Sequence, residues 1–60
     1  MFSPTGYVAE LPNGTVLPVY KIDDLGYPWV IEPDSGKAYR TEVLAMLWGK
    51  CTVRPLRNGE

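Results

Sequence analysis

The chain has 60 residues, a formal charge of −1, one cysteine and no histidine. That is enough for one small domain, 1–60, and it excludes an internal disulfide, a histidine-bearing zinc site and the strong basic excess of a dedicated nucleic-acid binder. The charge is unevenly spread: residues 1–36 hold one lysine against five acids, a net of −4, and residues 37–60 hold five cations against two acids, a net of +3.

The opening MFSPTG lacks the basic stretch and apolar run of a secretory signal, and residues 1–4 are expected to fray. The segment TGYVAELPNGTVLPVY then reads as a hairpin. An Asn13-Gly14 two-residue turn would require an N–H from Pro12, which proline lacks. A type I turn centred on Pro12 and Asn13, with Gly14 left-handed as a bulge, avoids that conflict. It sets Leu11 opposite Thr15, Ala9 opposite Leu17 and Tyr7 opposite Val19. Pro18 lies inside the second strand, which must be an edge there or bend sharply.

IDDLGY reads as a connection, with Asp23 and Asp24 in turn positions and Gly26 free to take a positive φ. YPWVIEPDSGKAY is a second hairpin about Pro33-Asp34-Ser35-Gly36. Its expected register sets Ile31 opposite Tyr39 and Trp29 opposite Thr41. Alternation then puts Tyr27, Trp29 and Ile31 on one face, with Val30 and Glu32 on the other.

TEVLAMLWGK switches to helical period. Thr41 suits the cap, Glu42 the first turn and Gly49 the stop, with Leu44, Leu47 and Trp48 as an apolar stripe. CTVRPL is a last strand closed by Pro55, and 57–60 a frayed tail. Two hairpins, one short helix and a final strand make a mainly β fold. Their chain order is that of a small five-stranded SH3-like barrel, an analogy of topology from which no binding residue carries over. The alternative is a strongly bent antiparallel sheet with the helix across one face.

Seven aromatic residues exceed what so small a core can hide. Trp48 and one of Trp29 or Tyr39 are expected inside, with several tyrosines partly exposed. Cys51 reads as a small buried filler.

Catalysis has no visible apparatus: no histidine, no base beside Cys51, no phosphate cradle among the glycines. Neither cofactor nor metal is expected, and Asp23-Asp24 is explained by turn chemistry. The expected function is that of a small non-catalytic binding module acting on a larger protein. Its size suits an accessory or inhibitory protein of a phage or mobile element. The candidate contact face is acidic and aromatic: Tyr7, Tyr20, Asp23, Asp24 and Tyr27. The alternative is a nucleic-acid-binding small barrel using a basic face of Lys37, Tyr39, Arg40, Arg54 and Arg57, with Arg40 and Arg54 on neighbouring strands. A third reading is an enzyme subunit whose site forms only in a symmetric oligomer. The unpaired cysteine points to the cytoplasm. No apolar run approaches the length of a membrane helix. The opposed charges of the two halves favour a homodimer by a small margin, against which the strand prolines discourage edge-to-edge pairing.

Overall fold

The computed structural model describes all residues, 1–60. In chain order they form β1 (Tyr7–Glu10), β2 (Val16–Ile22), β3 (Pro28–Ile31), β4 (Ala38–Arg40), α1 (Thr41–Trp48) and β5 (Thr52–Pro55). The strands make one antiparallel sheet in the order β4-β3-β2-β1-β5, and the sheet is not closed.

The first turn forms for the reason the proline dictates. Gly14 N–H donates to Leu11 O at 3.0 Å, Leu11 N–H donates to Thr15 O at 2.8 Å, and Gly14 takes φ 89°. Asn13 Oδ1 adds a bond from Thr15 N–H at 2.9 Å. The resulting register pairs Ala9 with Leu17. The Asp23–Tyr27 connection repeats this geometry, with Gly26 N–H on Asp23 O at 2.9 Å and Asp23 N–H on Tyr27 O at 3.0 Å. So the connection expected between two hairpins is itself a tight hairpin turn, and β1 to β4 form a continuous meander.

Pro18 lies in a central strand, and the strand bends. Residues Val16–Pro18 pair with β1, and pairing with β3 begins at Val19. Hydrogen-bonded and non-hydrogen-bonded pairs alternate from the Leu11–Thr15 closure, which leaves Pro18 at a non-hydrogen-bonded site toward β1. Its missing N–H therefore faces a side where β3 has not yet begun. A bulge follows, since Val19 pairs with Val30 but Lys21 with Trp29, leaving Tyr20 as the extra residue. The Val19 carbonyl at this irregularity accepts the Thr5 hydroxyl at 2.7 Å. Ser3 Oγ donates to Tyr7 O at 2.6 Å, so the chain before β1 is tied down from residue 3.

The β3–β4 register differs from the expected one by a single residue: Trp29 pairs with Arg40, Val30 with Tyr39, and Ile31 with Ala38. The cause is the turn. Gly36 N–H reaches back to Glu32 O, and Glu32 N–H donates to Lys37 O, both at 2.8 Å. Four residues are thus enclosed, and no bulge residue is left to offset β4. Alternation on β3 holds, but Val30 carries the core face while Ile31 is 47% exposed.

The core is correspondingly small and aliphatic. Ala9, Val19, Val30 and Leu44 form its fully buried centre, with Leu17, Tyr39 and Cys51 packed against it. Of the two aromatic residues offered with Trp48 as core, Tyr39 contributes from the edge. Trp29 lies half-buried on the other face. Trp48 is 43% exposed and is not a core residue, a departure from the expected stripe.

Helix α1 packs on β3 and β4. Thr41 is its first residue rather than its cap. Arg40 holds the cap position and makes no side-chain capping bond. Gly49 does end the helix, with φ 95° and its N–H on Ala45 O. There it abuts the Pro12 ring of the first turn, where an added Cβ would sit 3.0 Å from Cγ.

Candidate binding surface

Three regions carry the side chains available for function, and the first is the outer face of β2, β3 and β4. The observed registers set Lys21, Trp29 and Arg40 side by side across these strands. The Lys21 ammonium stands 4.7 Å from the Trp29 ring centroid, and the Arg40 guanidinium lies 4.8 Å from Tyr27 and 5.5 Å from Trp29. Such placements are attractive because the ring face is electron-rich.

Asp23 holds this layer to its turn. Its Oδ1 accepts the N–H groups of Leu25 at 3.0 Å and Tyr27 at 2.8 Å, and its Oδ2 accepts the Trp29 indole N–H at 3.0 Å. Arg40 Nε lies 3.5 Å from the same Oδ2, an ion pair without hydrogen-bond geometry. The indole bond, the two backbone bonds and the Arg40 charge hold the Asp23 carboxyl below its ordinary range.

The two faces read from the sequence therefore do not separate. Asp23 and Tyr27 of the acidic set share one cluster with Arg40 of the basic set. Tyr20 is half-buried at the bulge beside Lys21, and Asp24 is exposed without an ion pair. Tyr7 is 42% exposed at the start of β1. On the basic side, Lys37 is exposed in the third turn and Tyr39 packs against the core. Arg40 and Arg54 are not neighbours, because β4 and β5 are the two ends of the strand order.

Arg54 anchors the second region. Its Nε donates to Glu10 Oε1 at 3.0 Å, and its terminal nitrogens grip both oxygens of Glu60 at 2.8 and 2.7 Å. A two-point fork of this kind is the strongest common carboxylate contact. Glu60 also accepts the Arg57 backbone N–H at 2.9 Å. Together these lower the Glu60 carboxyl to about 2 and raise the Arg54 guanidinium. The segment 57–60, expected as a loose tail, is folded back onto β5 in this way.

The third region was not anticipated. Val43, Leu44, Ala45, Met46, Leu47 and Trp48 are six consecutive apolar residues. At about 100° per residue they cover every side of the helix, whereas one sheet takes only one stripe. Leu44 alone is buried, leaving Met46 86%, Leu47 66% and Trp48 43% exposed. Loose packing does not account for this. The accessible surface of 4019 Å² matches the roughly 3,900 Å² expected of a folded monomer of this mass. The signal was present in the sequence, as an apolar run too wide for one sheet to cover.

Beside the helix is a mainly apolar groove of about 210 Å³, lined by Leu11, Leu17, Leu44 and Trp48, with the acidic residues Glu32 and Asp34 also on its lining. It lies where the first and third turns meet the end of α1. Cys51 is half-buried near this end, its thiol pushed up by burial and its Sγ 3.7 Å from Gly49 O, an environment that disfavours the thiolate. No three His, Cys, Asp or Glu side chains converge as a metal site would require. No helix is long and apolar enough to cross a membrane.

No protein-family model matches this chain, and no curated protein or solved structure does either.

Proposed function

We propose that this chain is a small non-catalytic binding module that acts by docking on a larger protein. The observation that carries the reading is helix α1, an apolar cylinder with one buried residue and three large side chains, Met46, Leu47 and Trp48, turned outward. Contiguous apolar surface of this kind marks interaction sites on folded proteins. A stable protein interface takes about 800 Å² from each partner, so docking would occupy roughly a fifth of this small surface. Leu25 and Tyr27, also exposed, lie in the second turn with Asp24 and extend the polar and aromatic choices for contact.

The test is affinity capture from the source lysate, comparing the native chain with Leu47→Glu and Met46→Glu variants that retain the native circular dichroism. A stoichiometric protein captured by the native chain and lost with the variants supports the reading. Capture of no protein, or capture indifferent to both variants, rejects it.

Nucleic-acid binding draws less support. Arg40 and Arg54, the two arginines on strands, are each engaged by carboxylates of the same chain. Lys21, Lys37, Lys50 and Arg57 remain without ion pairs, Lys21 standing over aromatic rings instead. A nucleic-acid binder would show affinity that falls steeply with salt.

A further inference from the structure

We propose that the groove at the end of α1 receives a cationic side chain, arginine or lysine, presented among apolar residues of the partner protein. The inference rests on the docking role of this face and adds the chemistry of what enters it.

The argument is one of charge and shape. The chain has seven carboxylate side chains. Four of them, Glu10, Asp23, Glu42 and Glu60, are paired with an arginine. Asp24, Glu32 and Asp34 have no cation within ion-pair distance. Two of these three line the same groove, and no lysine or arginine lines it with them. Glu32 is half-buried, and Lys37 across the turn engages it only through the backbone, with its carbonyl accepting Glu32 N–H. A carboxylate with no opposing charge beside an apolar groove favours the approach of a cation.

The rest of the lining is apolar. Leu17 and Trp48 can hold the hydrocarbon stem of arginine or lysine while its charged head meets Glu32 and Asp34. An acidic segment would place like charges together, and a wholly apolar one would cover Glu32 without a partner, which costs free energy. One occupant satisfies both halves of the site.

The experiment is a nuclear magnetic resonance titration of the full chain with N-acetyl-Leu-Arg-Leu amide and, separately, N-acetyl-Leu-Glu-Leu amide. The arginine peptide is expected to shift the Trp48 indole and the Leu17, Glu32 and Asp34 amides, and the glutamate peptide to leave them in place. A Glu32→Gln, Asp34→Asn double variant should weaken the arginine peptide about fivefold at low salt, with the difference shrinking in concentrated salt. Equal binding of the two peptides, shifts elsewhere on the surface, or no shift at millimolar peptide overturns the inference. Charge-blind binding in the groove rejects this inference alone. Protein capture by the native chain that is lost with Leu47→Glu and Met46→Glu would still uphold the docking role.

Discussion

Leucine occurs twice in helix α1, at 44 and 47, and the two positions give a matched perturbation. Leu44 is 1% exposed and packs against Ala9, Val19 and Val30, whereas Leu47 is 66% exposed. Replacing either by alanine changes helix propensity by the same small amount, so the difference reports packing alone. At position 44 the removed atoms leave a cavity at the junction of the sheet and the helix. Leucine-to-alanine changes of this kind cost about 3 to 5 kcal/mol. At position 47 roughly a third of the side chain is covered, so the loss should stay below about 1 kcal/mol.

A chain of 60 residues has a total stability of about 3 to 9 kcal/mol. Leu44→Ala should therefore leave a protein unfolded or melting about 24 to 40 °C lower, and Leu47→Ala should melt within about 8 °C of the native chain. Thermal and urea denaturation followed by circular dichroism measure both. Equal losses, or a greater loss at 47, would mean that α1 presents a different face to the sheet, and the argument for an outward apolar surface would be lost.

Other expectations follow from the local geometry. Asp23 and Glu60 both have carboxyls lowered in the folded chain, Glu60 to about 2. A lowered carboxyl stabilises the fold fully above its unfolded value, about 4.5 for glutamate and 3.8 for aspartate, and that contribution disappears as pH falls through the folded value. The Trp29 indole resonance and the Arg57 amide should hold steady from pH 7 to near 4.5 and change only below it. Movement at pH 5 to 6 would contradict the bonds assigned to them. Gly14→Ala should cost about 1 to 2 kcal/mol through its positive φ alone, since nothing lies within 4 Å of the added Cβ. Gly49→Ala should cost more, because its Cβ would also press on Pro12 at 3.0 Å, and equal melting temperatures for the two variants would refute that contact. Cys51 should react with a thiol reagent at neutral pH more slowly than a free cysteine does, given its raised pKa and half-buried position. A rate equal to or above that of free cysteine would contradict this.

What the sequence disclosed and what it withheld divide along physical lines. The first turn was fully legible because Pro12 forbids one register and Gly14 permits the other, so strictly local chemistry decides the structure. The same holds for Gly49 as a helix stop and for Pro18 as a point where β2 must be an edge or bend, of which the fold takes the bend. The third turn depended on how its glycine would be used. A left-handed Gly36 is compatible with a bulge or with a bond back to Glu32, and the difference of one residue moved Tyr39 opposite Val30.

The core was misjudged for a related reason. Bulky rings look like core residues in a short chain. Here small β-branched residues at Val19 and Val30 close the centre, and Trp29 serves as an outer brace for Asp23 and Arg40. Ion pairing was not legible at all, because Glu10 and Glu60 meet Arg54 only through strand pairing and a folded tail. The candidate site lies in the run 43–48, where spacing alone picks out a stripe although all six consecutive residues are apolar.

The most direct test of the account is the solvent accessibility of individual methyl groups in the free protein. A soluble nitroxide should broaden the methyl resonances of Met46 and Leu47 strongly while sparing those of Leu44, Val19 and Val30. Protection of Met46 and Leu47 to the level of Leu44 would mean that the helix surface is already covered in the isolated chain, and the proposed docking face would not exist.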